Sequence, residues 1–466
     1  MPDAATLSRL QFAFTISFHI LFPAMTIGLA LFIATCEGLW LKTRNLRYLQ
    51  LAKFWIKPFA ITFGMGVVSG IVLSYEFGTN FAPFSEKVGA ILGPLLTYEV
   101  MTAFFLEAGF LGVMLFGWNR VSPKMHFMAT VVVAIGTLLS AFWILSANSW
   151  MQTPAGYAIQ DGRFVPTDWW QIIFNPSFPY RFVHMVLAAL ITSSFLIAGV
   201  SAWYLLKKRD IAFARKGLSM ALWVMLILTP LQVVVGDFHG LEVKEHQPIK
   251  LAAMEGIWDK VEQPAALRLF AWPDMQQEKD RWSLAIPHLG SLILTHSWDG
   301  AVQGLKSVKP EDRPYVPLVF YSFRIMVAIG FLMVATAFWG LWLRRKGRFA
   351  ENPRFLKLLC LMTPSGLVAT LAGWYVVETG RQPWLVEGLL RTKDVISPLP
   401  AQRVAFSLIL FVIVYSLLGY VFVHFYRKLI RKGPPSLETL QAQVASNPQN
   451  TSPAASWQSG LNGKEA

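Results

Sequence analysis

The sequence predicts an all-α membrane protein, a polytopic bundle of about nine transmembrane helices with an extracytoplasmic insert. Three observations predict it. Of the 466 residues 54% are hydrophobic and only 15% charged, and the mean hydropathy is +0.46, whereas about a quarter of a soluble domain is charged. The apolar residues fall in runs of about 20 residues or more, the length a helix needs to cross the hydrocarbon core. The net charge of +14 sits in short basic clusters between those runs, which suits orientation in a membrane and excludes a nucleic-acid surface as its purpose.

Apolar spans lie near 11–40, 54–76, 92–118, 125–147, 181–206 and 217–236, and three more near 316–343, 355–378 and 403–426. Before the first stand Asp3 and Arg9, with no basic n-region and no cleavage site, so that run is expected to be a retained span. Gly64, Gly66 and Gly70 in the second resemble a nucleotide loop only superficially; small residues let membrane helices approach closely. The chain therefore divides into helices one to six (1–236), a polar extracytoplasmic loop (237–315), helices seven to nine (316–432) and a cytoplasmic tail (433–466). The loop begins with Asp237, Glu242, Lys244 and Glu245, while the tail is rich in Pro, Ser, Asn and Gln and is expected to be disordered. Cys36 and Cys360 each lie in an apolar run and no C-x-x-C-H occurs, which excludes a disulfide framework, a thiolate metal site and covalently attached haem.

Orientation follows from the bases in the connections. Connection one carries Lys42, Arg44, Arg47, Lys53 and Lys57; connection five carries Lys207, Lys208, Arg209, Arg215 and Lys216; connection seven carries Arg344, Arg345, Lys346, Arg348, Arg354 and Lys357. Arg120 and Lys124 in connection three and Arg427, Lys428, Arg431 and Lys432 after the last span agree. These segments are expected in the cytoplasm, leaving the N-terminus and the insert outside and the C-terminus inside.

Ionisable and metal-ligating residues within spans are costly there, so each is a functional candidate. They are His19, Glu99, Glu107, His184, Met326 and Glu378. Counted along their helices, His19, His184, Met326 and Glu378 all fall in the outer half and can share one layer. Imidazole and thioether together suit a six-coordinate iron that passes electrons, while an oxygen-binding iron keeps one axial position open. That pattern points to His184 with Met326, and to His19 or Glu378 alone. Glu99 and Glu107 are eight residues apart, about 80° around a helix, so with Thr102 and Ala103 they can line one face and relay protons. The string WYVVETGRQPW places Trp374, Arg381 and Trp384 around Glu378 at a helix end, where Arg381 can pair with a haem propionate and Trp374 can stack on a macrocycle. Arg9 and Arg324 can serve likewise.

The chain resembles subunit I of the cytochrome bd-type quinol oxidases from the first span through the ninth. The strings that carry the resemblance are GRQPW (Gly380 to Trp384), SFRIM (Ser322 to Met326), KLAAMEG (Lys250 to Gly256) and ANSWMQ (Ala147 to Gln152). The resemblance implies His184 and Met326 as ligands of a low-spin haem b, Glu378 as ligand of a high-spin haem b and His19 as ligand of a third haem. It implies that Lys250 and Glu255 contact quinol in the outer loop, Glu255 accepting a proton as the ring is oxidised, and that cytoplasmic protons travel through Glu99 and Glu107. The short insert resembles the branch that includes the cyanide-insensitive oxidases, where the third group is haem d or a second high-spin haem b. The implied reaction oxidises ubiquinol or menaquinol outside and reduces O2 to water with protons from inside, separating charge without a pump. The implied partners are membrane lipid, an oxidase subunit II and a small single-span subunit.

Two rival readings fit the sequence less well. A haem-copper oxidase resemblance would imply six intramembrane histidine ligands, whereas His126, His239, His246, His288, His296 and His424 lie in expected loops or at span ends. A haem-free ion-coupled transporter working through Glu99 and Glu107 would show inverted repeats, and the sequence shows no convincing one.

Overall fold

The computed structural model describes residues 2–446. Among these, nine helices are long and apolar enough to cross a membrane. The first, α1 (Ala4–Thr43), starts where the Asp3 side chain accepts from the Thr6 N–H at 2.8 Å and ends at Arg44 in the left-handed region, φ 60°. Asn45 caps α2 (Leu46–Thr79). The third span consists of α3 (Ala82–Glu99), a π-helical turn (Val100–Phe104) and α4 (Phe105–Phe116). Helix α5 (Pro123–Gln152) is the fourth, with Pro123 in its first turn, where a missing N–H costs nothing.

Connection four folds as a hairpin of β1 (Tyr157–Gln160) and β2 (Arg163–Pro166). Its Asp161-Gly162 turn has φ +48° and +74°, the backbone that an Asp-Gly pair supplies readily. A short α6 (Trp169–Ile173) leads into α7 (Phe178–Leu206), and α8 (Ile211–His246) is the sixth span.

Helix α8 outruns its apolar stretch, so Asp237, Glu242, Lys244 and Glu245 sit on its last turns and not in an irregular loop. Nothing in that stretch breaks a helix until Pro248, which disfavours helical backbone at Gln247 (φ −138°). The remaining insert is ordered. It contains α9 (Pro248–Glu255), β3 (Val261–Glu262), β4 (Leu267–Asp274), β5 (Lys279–Ile286), α10 (Leu289–Thr295) and β6 (Val302–Gln303). Strands β4 and β5 pair antiparallel, as do β3 and β6. Helix α11 (Val316–Arg345) is the seventh span and holds the insert down: Tyr321 donates to the Ala271 carbonyl and Arg324 to that of Arg268.

The eighth span is broken into α12 (Pro353–Leu361) and α13 (Ser365–Arg381), with Pro364 at the break. A small hairpin of β7 (Trp384–Val386) and β8 (Leu390–Arg391) follows, turning at Gly388 (φ +70°), and α14 (Ala401–Lys432) completes the bundle. Both hairpins and the insert share one face, while the base-rich connections share the other.

The tail departs from expectation. Ser436 caps α15 (Leu437–Ala445), and Leu440 is buried against Trp40 and Leu49. This short helix has one apolar side that docks on α1 and α2, which tail composition alone conceals. The rest of the expected disordered tail lies outside the described residues.

The main core joins α1, α2, α7, α8, α11 and α12. Close approach depends on small residues: a Cβ at Gly28 would collide with Ser193, and one at Gly199 with Thr363. Of the three α2 glycines, Gly66 and Gly70 face α1 at Phe22 and His19, whereas Gly64 faces open space. By contrast, α14 exposes Phe406, Ile409, Ile413 and Leu417, as lipid contact requires.

Candidate active site

Helix α5 organises the carboxylates of the third span. Glu99 accepts from Ser140 Oγ at 2.7 Å, and a Cβ at Gly136 would lie 2.5 Å from Glu107 Cγ. Gly136 and Ser140 are one helical turn apart, so both acids address a single stripe of α5. The π turn between them under-winds the helix and brings the two carboxylates closer to one face than eight α-helical residues would. Trp143 fixes Thr102 on the same side at 2.9 Å.

His19 lies one turn before Pro23, which cannot donate to the His19 carbonyl. Its Nδ1 meets Ser69 Oγ at 2.9 Å, and that hydroxyl donates to the Met65 carbonyl at 2.8 Å. Since the hydroxyl proton is committed, Nδ1 carries the hydrogen and Nε2 keeps a free lone pair, the tautomer of a metal ligand. A Cβ at Gly70 would sit 3.2 Å from His19 Cε1, so glycine makes room for the ring. His184 on α7 packs against α8, its ring 5.3 Å from that of His239 and beside Gly236. Its Nδ1 is buried without a hydrogen-bond partner among the described residues. Met326 on α11 points instead at α13, where a Cβ at Gly373 would lie 2.9 Å from its sulfur. His184 and Met326 thus sit on different helices and pack against different neighbours.

Glu378, near the end of α13, is the centre of a buried network. Oε1 accepts from Asn148 Nδ2 at 3.0 Å and Gln152 Nε2 at 3.5 Å; Oε2 accepts from Arg381. Asn148 in turn accepts from Arg181. Arg381 is 3% exposed, yet among the described residues its Nε and Nη1 have no acceptor, and neither has Trp374 Nε1. Trp384 lies apart from this network, under the Arg391 guanidinium at 4.5 Å, and Arg9 is exposed on the first turns of α1.

Lys250 and Glu255 share α9 but face different neighbours. Buried Lys250 donates to Gln152 Oε1 at 2.5 Å and Gln247 Oε1 at 2.6 Å. Gln247 Nε2 donates to Gln152 Oε1 at 3.0 Å and to Glu387 Oε2 at 2.9 Å. Burial holds the Lys250 amine down to about 7, partly offset by Glu387, and burial also pushes the Glu387 carboxyl up. Glu255 instead pairs with Arg324 at 2.8 Å, which occupies the arginine that the sequence suggested for a propionate.

A family model described as cytochrome bd terminal oxidase subunit I matches residues 7–434. The chain belongs to that family. It is 38% identical over 437 residues to a Bacillus subtilis cytochrome bd ubiquinol oxidase subunit 1, covering 92% of this chain and 93% of the relative. It is 34% identical to an Escherichia coli cytochrome bd-II ubiquinol oxidase subunit 1, covering 95% and 99%. The bd oxidase structure from Geobacillus thermodenitrificans superposes with a TM-score of 0.85 at 29% identity, covering 93% of this chain and 99% of that one.

The residues present fit the haem that the cytochrome bd family carries. Imidazole and thioether are side chains that can ligate a haem iron, and among the described residues the buried Arg381 Nε, Arg381 Nη1 and Trp374 Nε1 lack acceptors, which anionic propionates would satisfy. Sequence reading missed Arg181, Asn148, Gln152, Gln247 and Glu387, which act through packing between distant segments. It also missed two intramembrane acids that the cost of burying charge flags directly. Glu76 accepts from Gln11 and Thr15, and Glu37 pairs with His126 at 2.9 Å. His126 and His239, read as loop or span-end residues, lie on α5 and α8.

Proposed function

We propose that this chain is the haem-bearing, quinol-oxidising subunit of a bd-type terminal oxidase. The observation that carries the reading is the family match over residues 7–434, and the unmatched buried donors around Glu378 support it. In this reading His184 and Met326 hold a low-spin haem b, Glu378 a high-spin haem b, and His19 a third haem, d or a second high-spin b. When bound, these groups supply one-electron transfer and the site of O2 reduction.

The protein's own part is positional. Trp374 stacks beside the haem layer and Arg381 neutralises propionates. Trp384, Arg324 and Arg9 stand outside that role, Trp384 under Arg391, Arg324 paired with Glu255 and Arg9 exposed. The α9 helix receives ubiquinol or menaquinol: Lys250 hydrogen-bonds one hydroxyl, and Glu255, held by Arg324, addresses the other. Glu99 and Glu107, fixed against Ser140 and Gly136, carry protons from the base-rich face toward the oxygen chemistry. We place that face in the cytoplasm of a bacterial inner membrane and the N-terminus outside, following the basic connections. The relatives are named subunit 1, so a subunit II is the expected partner, with a small single-span subunit beside it.

A reduced-minus-oxidised absorption spectrum of the purified protein tests the reading. Haem bands that appear on adding quinol support it, and a colourless protein returns the transporter alternative.

A further inference from the structure

The quinol contacts proposed for Lys250 and Glu255 leave Glu387, on the lysine side of α9, without a role. Glu387 sits at the end of β7, its N–H held by the Met151 carbonyl at 3.0 Å and its carboxylate by Gln247 at 2.9 Å. It is half-buried, and the next two residues, Gly388 and Leu389, are exposed. Lys250 is 3% exposed and shares Gln247 with it. Glu255 is engaged by Arg324, so the carboxylate on the lysine side of α9 is Glu387.

Resting on the proposal that quinol binds at Lys250, we propose that Glu387 accepts the proton of the quinol hydroxyl at Lys250 and releases it to solvent on the insert-bearing face. The quinol O–H bond breaks and a new O–H bond forms on the Glu387 carboxylate. The electron pair of the quinol leaves, one electron at a time, to ferric haem as the oxidant, and the ring becomes quinone. The second hydroxyl gives its proton to Glu255, so two acids serve two protons. Glu387 then passes its proton to water and is reset as a carboxylate.

The surroundings suit this exchange. Lys250 and Arg381 favour the ionised acid, while burial opposes it. Around Lys250 stand Arg181, Arg381, Glu378 and Glu387, and burial holds its amine to about 7. Burial thus lowers the amine and raises the acid, which draws the two titrations toward one another. Glu387 must be ionised to accept, so quinol turnover should rise with pH through its titration.

The test compares Glu387→Gln, Glu387→Asp and Lys250→Met with the unaltered oxidase, using ubiquinol-1 and monitoring oxygen uptake, kcat, KM and the pH profile. Unchanged haem spectra establish that each variant is assembled, and Glu387→Ser gives the same readouts should the glutamine variant fail to assemble. We expect Glu387→Gln to lower kcat by roughly 10- to 100-fold, as loss of a positioned proton acceptor does. Its KM should stay unchanged and the rising pH limb should vanish, while Glu387→Asp restores both. Wild-type kcat and pH profile in Glu387→Gln would overturn the proposal. So would a raised KM at normal kcat, since Glu387 would then only hold Gln247 and Lys250. An unaltered KM in Lys250→Met would overturn the quinol site itself, whereas a raised KM there with a normal Glu387→Gln would overturn only the proton acceptor.

Discussion

Met326 and Glu255 carry the clearest consequences of single side chains. A thioether completes a low-spin iron and raises its potential, whereas leucine keeps the volume and apolarity but cannot coordinate. With His184 on the same iron, Met326→Leu should convert that haem from six- to five-coordinate. Its sharp reduced band should vanish and quinol-driven turnover stop, while carbon monoxide binding at the oxygen site persists; an unaltered low-spin band would refute the ligand pair. Glu255→Gln retains shape and neutralises an acid that pairs with Arg324 at 2.8 Å. Oxygen uptake with quinol should fall at least about tenfold with every haem band intact, and normal turnover would remove Glu255 from the reaction. His19, His184, Glu378, Glu99 and Glu107 stand out in the sequence because each is polar inside an apolar run, whereas Met326, one of 16 methionines, gains meaning only beside His184. Gln152, Gln247 and Glu387 do not stand out, since uncharged amides and a loop acid carry no such signal until folding brings α5, α9 and β7 together.

Helix α5 meets four acids along its length: Thr130, Ser140 and Asn148 donate to Glu37, Glu99 and Glu378, and Gly136 leaves room for Glu107. A methyl at Gly136 would lie 2.5 Å from Glu107 Cγ, so Gly136→Ala must displace the acid without touching a haem donor. We expect it to slow oxygen uptake several-fold at unchanged quinol KM. Glu107→Leu should slow it further, by roughly 10- to 100-fold, because proton delivery is interrupted. Both are read by steady-state oxygen consumption, and unchanged rates would assign Glu107 to packing. The spans themselves were legible from length and hydropathy. Their rotation was not, because helices apolar nearly all round show no periodicity that tells which side faces which neighbour. The π turn at Val100–Phe104 also lacks a local sequence signal. The overrun of α8 was hidden because charged residues can continue a helix beyond the hydrocarbon.

At the scale of the whole molecule, two layers divide the work. The insert-bearing face gathers Lys250 and Glu255 from α9, Arg324 from α11, Glu378 and Arg381 from α13 and Glu387 from the turn after β7, and the base-rich face is closed by α15 over α1 and α2. The alternation of basic connections was legible because it is a rule about short loops, but the ordered insert was not, since its strands pair only with one another. Haem extraction from the purified chain, with its partner subunit where assembly requires one, tests the central claim most directly. We expect about three haems per chain, with a reduced spectrum that identifies the third as d or b. A yield below about two haems per chain would contradict the assignment of His184, Met326, Glu378 and His19 as haem ligands.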